Sequence, residues 1–544
     1  MKLLFVARHF TYFRNFDSVV AALAGRGHQV HLAADREESL GGRELVDRLA
    51  AEFPRHVTVG FAPARAEGSS RRLSSVLRHT LDYLRYAGPR YDATPKIRER
   101  AYERTPRLAL MLGRLPCRDA VARGVDWLER AVPREPQIDA FVRAQAPDLL
   151  LLTPLIELGS PQVDYLRAAR ALGIRTALPV WSWDHLSSKA LIRVVPDAVI
   201  VWNEAQRDEA ARFHGITGDR VLVTGAQCFD RWFDRRPTRD REAFCRRVGL
   251  PPDRPFILYV CSSLFKNSPA EAPFVRDWVA ALRGAPEARL RAAAVLVRPH
   301  PQRLEEWRTA ALDFPDVAVW GSSPVDAESR ADYFDSMYHA AAVVGLNTSA
   351  LVEAAIVDRP VFTILTPAFR DNQEGTFHFH HLLEPGHGFV NAAGSLEAHA
   401  GQLAAMLAGQ PVRSNRPFVE RFIRPRGLDT AATPVFVETV ERLAAAGPVA
   451  PLADAAAAAV LRPVIWLLAL ADRTPLLERL YWTPVRRREW ADNVRAIRGK
   501  GDRRRAKRRD KFVRVARKLG QRVVVRAKTV AKQALIAGGL QKHP

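Results

Sequence analysis

Short apolar runs and helix-forming stretches alternate along most of this 544-residue chain, and that alternation constrains its fold more than any single motif. Leu3 to Ala7 is an apolar run of strand length. A polar and aromatic loop follows to Asn15, then a helical pattern from Asp17 to Gly25, a Gly25-Arg-Gly27 stop and a second strand from Gln29 to Ala33. Strand, loop, helix, strand is how a parallel α/β sheet begins, and such sheets bind ligands at the carboxyl ends of their strands. The opening run is too short for a signal peptide and is expected to be a first buried strand.

The alternation pauses between about Ser69 and Gln145, a helix-like stretch rich in Arg, expected as a helical insertion whose charges face solvent. It resumes with strands at Asp148 to Thr153, Thr176 to Val180, Ala198 to Trp202 and Arg220 to Thr224, and helices at Pro161 to Leu172 and Glu204 to His214. Charged residues and Pro237 crowd Asp230 to Arg247, the best candidate for an interdomain linker. A second alternating unit carries strands at Phe256 to Val260, Ala294 to Val297, Val317 to Trp320, Ala341 to Val344 and Val361 to Ile364. The expected architecture is α/β. Two doubly wound Rossmann-like domains, 1–235 and 236–447, face a cleft, with the insertion at 69–145 and a tail from 448 to 544.

Composition narrows the chemistry. Four scattered cysteines lack metal-ligand spacing and are expected as thiols. The net charge of +23 is uneven: residues 484–544 hold 21 Lys and Arg against 4 Asp and Glu, a net of +17, leaving only +6 for the rest. In that tail Phe512, Val515, Leu519, Val523, Val530 and Ala534 recur at helical spacing beside Lys and Arg, although Val513, Val524 and Val525 fall off the stripe. An anionic membrane surface is the partner such a basic amphipathic helix fits. The run Arg503 to Arg509 would also neutralise nucleic-acid phosphates, but few aromatics are interleaved for base stacking. A solvated tail without a partner is the remaining reading. No apolar stretch reaches bilayer length; Ala455 to Ala471 is interrupted by Arg462 and Pro463.

Chemistry-bearing residues gather where strands end. Gly345 to Glu353 places Asn347, Thr348 and Ser349 between an apolar run and a helix carrying Glu353. The amide groups of a helix start suit a diphosphate, and a carboxylate one turn on accepts from ribose hydroxyls. Simple capping would use the same residue types. Ser262, Ser263 and Lys266, then Arg298 and His300, follow two other strands of the same unit and supply further donors to phosphate oxygens. In the first unit, Trp181 to Lys189 sets Trp183, Asp184, His185 and Lys189 directly after a strand. The first loop holds His9, Arg14 and Asn15. His9 and Asp184 are candidate bases. His378 and His381 have no ligand partner at zinc spacing and are placed in the cleft; no metal site is expected, and no Asp-x-Asp pair is present to hold a metal on a diphosphate.

These pieces resemble glycosyltransferases of the GT-B fold from the bacterial surface-polysaccharide branch, related to CDP-glycerol glycerophosphotransferases and non-hydrolysing UDP-N-acetylglucosamine 2-epimerases. The resemblance rests on Leu23 to Leu32 as a second-strand entry, on Trp183-Asp-His-Leu-Ser-Ser-Lys189, on Arg220 to Gly225 with Phe229-Asp230, and on Arg298-Pro-His-Pro301 with Asn347-Thr-Ser349 and Glu353. It spans Met1 to Gly447 without the insertion. Two departures concern donor identity: His185 stands where such proteins often have Asn, and Asp358-Arg359 where they often have Gly before Pro.

The resemblance implies that Arg298, His300, Asn347, Thr348, Ser349 and Glu353 contact a nucleotide-sugar donor, and that His9 or Asp184 faces a glycan or lipid-linked acceptor. It implies no cofactor beyond that co-substrate, a peripheral place on the cytoplasmic face of the membrane, and polyol phosphate transfer from a CDP-linked donor as the alternative. Epimerisation of a soluble sugar nucleotide would leave the tail without a purpose. A non-catalytic or nucleic-acid-binding protein on the same fold is the alternative of another class.

Overall fold

The computed structural model describes residues 1–37, 41–308, 310, 312–324, 326–451, 456–472, 482–489 and 491. The chain divides into two units, Met1–Tyr481 and Trp482–Pro544. Of the second, a short helical stretch at 484–489 is described. The apolar stripe from Phe512 to Ala534 and the run Arg503 to Arg509 lie outside the described residues.

The first unit is built on two parallel sheets. The first contains β1 (Lys2–Ala7), β2 (Gln29–Ala34), β3 (Val57–Phe61), β4 (Leu149–Thr153), β5 (Arg175–Pro179), β6 (Ala198–Val201) and β7 (Val221–Val223), in the spatial order β3-β2-β1-β4-β5-β6-β7. The second contains β8 (Phe256–Val260), β9 (Ala294–Arg298), β10 (Val317–Val319), β11 (Ala342–Val344), β12 (Val361–Ile364) and β13 (Asn391–Ala393), ordered β10-β9-β8-β11-β12-β13. β4, β8 and β9 are buried along their whole length, as strands covered by helices on both faces must be. These are two doubly wound Rossmann-like domains, the GT-B architecture.

In each sheet the strand order reverses once, between β1 and β4 and between β8 and β11. Crevices at the carboxyl ends of strands form at such reversals. Both are tied across. Arg8, just after β1, reaches Glu157, beyond β4, at 3.0 Å, and Asn347 N, beyond β11, donates to Ser262 Oγ, beyond β8, at 3.2 Å.

The chain does not stay in the second domain to residue 447. The helix Ala432–Ala445 packs on Asp17–Gly25 and sends Phe436, Val437 and Val440 into the core that holds Phe5, Phe13 and Phe16. Gly225, at φ +91°, admits this crossing: a Cβ there would stand 2.7 Å from that of Ala432.

The insertion folds as the helices Ser69–Tyr86, Pro95–Arg104, Arg107–Leu112 and Arg118–Ala131, while Pro136–Gln145 packs back on the sheet-covering helix Val163–Ala171. The expectation that its charges face solvent is corrected here. Arg78 and Glu129 are 2% and 1% exposed, paired at 2.7 Å, and Arg78 also bonds Asp164 at 2.7 Å beside Arg65. Arg193 and Asp82, equally buried, pair at 2.7 Å. Arg78–Asp164 and Asp82–Arg193 join the insertion to the sheet domain, which a solvated face would not do. Helix Ala456–Asp472 then lays Leu461, Ile465 and Leu468 against the insertion. Among the described residues no helix is long and apolar enough to cross a membrane.

Candidate functional site

At the second-domain reversal, Gly345 brings the end of β11 against β8; a Cβ there would lie 2.8 Å from the Val260 carbonyl. The chain then turns through Leu346, Asn347 and Thr348 into the helix Ser349–Ile356, with Thr348 Oγ1 accepting from Ala350 N at 3.4 Å. Its capping role and its place at the helix start are therefore both present. Asn347 Nδ2 donates to the Asn372 carbonyl at 2.5 Å and lies 3.3 Å from His378 Nε2.

Glu353 lies on that helix, where Tyr333 Oη donates to its carboxylate. Burial pushes the Glu353 carboxyl up to about 7, against the pull of that hydrogen bond and of Arg231 and Arg14 from the first domain. Arg298, at the end of β9, is sandwiched: its guanidinium carbon is 5.1 Å from the Tyr333 ring and 5.6 Å from Trp320. It is 6% exposed, donates to the Ser322 carbonyl at 3.3 Å, and its Nη1 is buried without a hydrogen-bond partner. Arg298, Tyr333 and Glu353 thus form one cluster beside a helix start.

The other residues of this half are distributed unequally. Ser263 and Lys266 are exposed on the loop after β8. Ser262 is a correction: it is fully buried, its N–H donates to Glu271 at 2.8 Å and its hydroxyl accepts from Asn347, so it braces two loops and does not face a phosphate. His300 turns its Nδ1 to Gln302 N at 3.3 Å, capping the turn Pro301–Arg303.

The loop after β5 bridges the halves. Trp183 Nε1 donates to Ser349 Oγ at 3.1 Å, and its ring meets His378 edge-on at 4.7 Å. His381 Nε2 lies 3.1 Å from Glu209 of the first domain and against Phe422. Burial lowers His378 to about 4, so its ring is neutral.

Two residues of this loop have surroundings that oppose the roles expected of them. Asp184 is held as a paired carboxylate. Burial alone would raise its carboxyl, but Lys189 at 2.7 Å, His378, and hydrogen bonds from Ser182 and Ser188 hold it well below the usual carboxylate range. It anchors Lys189 instead. His185 does not face the cleft. It is fully buried, its Nε2 bonds the Pro154 carbonyl at 2.8 Å, and burial lowers it to about 3.

At the first-domain reversal, His9 precedes the turn Phe10–Asn15 and its ring lies 4.4 Å from that of Tyr12. Asn15 bonds the Tyr12 carbonyl and accepts from Gln227; Arg14 is exposed. Sequence reasoning missed the centre of this crevice. Arg8 donates to Asp35 at 2.6 Å and to Glu157, which also accepts from Tyr12 Oη at 3.0 Å. Burial pushes the Asp35 carboxyl up to about 6, against the pull of Arg8. Arg8, Asp35 and Trp181 each directly follow a strand or lie one residue beyond it, so strand ends alone would have found them. Arg8, Tyr12, Asp35, Glu157, Trp181 and Lys189 line one wall of a cavity of about 810 Å³ that reaches under the insertion. Among the described residues no group of three His, Cys, Asp or Glu side chains is placed to hold a metal ion.

No family model and no curated protein matches the chain. Solved structures with a similar chain course include the UDP-GlcNAc 2-epimerase of Methanocaldococcus jannaschii in complex with UDP-GlcNAc and UDP, 13% identical at a TM-score of 0.46, covering 82% of this chain and 100% of that one. The Neisseria meningitidis UDP-GlcNAc 2-epimerase is 12% identical at 0.45, over 81% and 100%. WaaG, a glycosyltransferase involved in lipopolysaccharide biosynthesis, is 12% identical at 0.42, over 80% and 99%. Likeness of that degree concerns the course of the chain and leaves its chemistry to the residues themselves.

Proposed function

We propose that this chain is a glycosyltransferase that moves a sugar from a nucleoside diphosphate donor to a hydroxyl of a surface-polysaccharide or lipid-linked acceptor. The observation that carries this reading is the Arg298–Tyr333–Glu353 cluster beside the start of helix Ser349–Ile356. Helix-start amides and a buried guanidinium suit a diphosphate, and a carboxylate on the same helix suits a ribose. The nucleotide then lies between the two domains, with its sugar toward the crevice after β1 and β4.

In the reaction the acceptor oxygen bonds to the anomeric carbon as the bond from that carbon to the diphosphate oxygen breaks. The acceptor proton passes to a base, for which His9 is the candidate, and the nucleoside diphosphate leaves with its new charge facing basic and amide groups. The +17 of residues 484–544 supports a place on an anionic membrane surface, where lipid-linked acceptors reside.

Thermal unfolding of the full chain with UDP, GDP, CDP and dTDP compounds tests the donor half. A ligand at about 100 times its Kd stabilises by roughly 2.7 kcal/mol. The expected result is a shift with one base that is lost in Glu353→Ala. A shift with CDP compounds alone would favour polyol phosphate transfer, and no shift with any of them would remove the transferase reading.

A further inference from the structure

The cavity under the insertion is lined by eight basic side chains against three acidic ones, and its basic groups are not all spoken for. Arg65 and Arg78 are neutralised by Asp164 and Glu129, Arg8 by Asp35 and Glu157, and Lys189 by Asp184. No described acid pairs with Arg100 or Arg104, which stand one turn apart on helix Pro95–Arg104. Arg71 reaches only Glu67, at 3.7 Å, which is 95% exposed. Ser74, on the same helix as Arg71, and Ser75 add hydroxyls to the wall.

Like charges one turn apart repel, and a guanidinium withdrawn from water without a partner costs free energy. Arg100, half-buried, bears both costs: desolvation first, then Arg104, lower its affinity for its proton. A multiply charged anion entering the cavity would relieve both at once, and the planar fork of Arg matches phosphate oxygens. The lining also includes Trp181 and Lys189, from the loop whose Trp183 bonds Ser349 at the donor helix. An anion held under the insertion therefore sits one loop away from the donor cluster.

We propose that this cavity recognises the acceptor by a phosphate or diphosphate group, with Arg100 and Arg104 as its principal contacts and Arg71 at its mouth. The assignment rests on the transferase reading for the word acceptor, while the anion site itself does not. The chemistry is shared by a lipid diphosphate and by a phosphorylated sugar.

The test is calorimetric binding of inorganic pyrophosphate to the full chain carrying Arg298→Gln, which removes the guanidinium of the proposed donor cluster, and to Arg100→Gln/Arg104→Gln made in that background. At least a tenfold loss of affinity is expected in the double variant relative to that background. An affinity unchanged by the double change overturns the proposal. A tenfold loss there upholds it even if no nucleotide binds, so the two readings fail separately. Should the double variant not fold, the exposed Arg71→Gln replaces it. It is expected to weaken binding about threefold and to flatten the salt dependence, and an unchanged affinity overturns the proposal. Farnesyl diphosphate and glucose 6-phosphate, titrated in the same way, name the source: tighter binding of the first means a lipid carrier, tighter binding of the second a phosphorylated glycan. Equal affinity of either for that background and the double variant counts against the site.

Discussion

Trp183 Nε1 donates a hydrogen bond to Ser349 Oγ at 3.1 Å, joining the loop after β5 of one domain to the first residue of the helix beside the donor cluster in the other. The same indole rests edge-on against His378, whose ring contacts the Asn347 side chain. One residue of the first domain thus touches two elements of the second, and through His378 a third. Trp183→Phe would keep most of the packing and remove the bond. The expected effect is a loss of about 0.5–1.5 kcal/mol in stability, together with a several-fold rise in donor KM at nearly unchanged kcat. Thermal unfolding and initial rates on the same sample measure both.

If the cluster binds a nucleotide donor as proposed, Glu353 ties that binding to pH. Its carboxyl, pushed up by burial to about 7, is above its unfolded value of 4.5. The neutral form therefore stabilises the fold fully below about pH 4.5, and that contribution is lost as pH rises through about 7. Accepting from ribose hydroxyls is done best by the carboxylate, so donor affinity should rise over the range in which this contribution is lost. Glu353→Gln should flatten both profiles. Tyr333→Phe removes the hydrogen bond that pulls the carboxyl down and should move the midpoint of binding to higher pH. Titration of a nucleotide-sugar against pH measures it.

The strands came from the sequence almost to the residue where apolar runs are long: Phe256–Val260 and Val361–Ile364 are observed as expected, as are the helices Asp17–Gly25 and Glu204–His214. β3 and β13 escaped. Val57–Phe61 lies at an edge, half exposed and interrupted by Gly60, and Asn391–Ala393 has three residues and no β-branched side chain. In the candidate site the cluster residues Arg298 and Glu353 were visible as chemistry near strand ends, because Arg298 closes β9 and Asn347, Ser349 and Glu353 follow β11 of the same sheet. The buried charges of the insertion were not. Arg78, Asp164 and Glu129 are far apart in sequence, and nothing local to any of them records that it will meet the others.

Among the described residues five imidazoles are held neutral by burial and set an acid limit. Burial lowers His79 and His378 to about 4 and His185 and His399 to about 3, and takes His214 well below its ordinary value. Below their unfolded value of 6.5 the unfolded chain binds protons that the folded chain refuses, so stability falls as pH drops from about 6.5 toward 4. Each group contributes a slope of about 1.4 kcal/mol per pH unit once it titrates only in the unfolded state. Denaturant melts at pH 7, 6, 5 and 4 should show this loss, and His399→Phe, in the second-domain core against Trp278 and Phe362, should reduce the slope by one proton.

The insertion shares an apolar core with the first sheet, and buried charge pairs fasten it further. Arg78 holds Glu129 within the insertion and Asp164 on a sheet-covering helix, and Asp164 in turn holds Arg65. Removing one partner leaves the others buried without compensation, a loss of about 3–5 kcal/mol. Arg78→Met should cost that much. Adding Asp164→Leu should cost less than the sum of the two single changes, because the second change removes a charge the first had stranded. A double-mutant cycle by denaturant unfolding measures the coupling.

His9 and Asp184 both precede short helical turns at strand ends, but their surroundings differ. Asp184 is held charged by Lys189 and two serine hydroxyls, so it has little affinity for an acceptor's proton. Asp184→Asn should release Lys189 and raise acceptor KM, with kcat falling less than tenfold. His9 faces Tyr12 at the reversal between β1 and β4, where the sugar and acceptor would meet. Loss of a general base costs about 10²–10⁴ in rate, so His9→Gln should lower kcat by at least a hundredfold. If Asp184→Asn shows the larger kcat loss, the base is on the loop after β5 and the assignment of His9 falls.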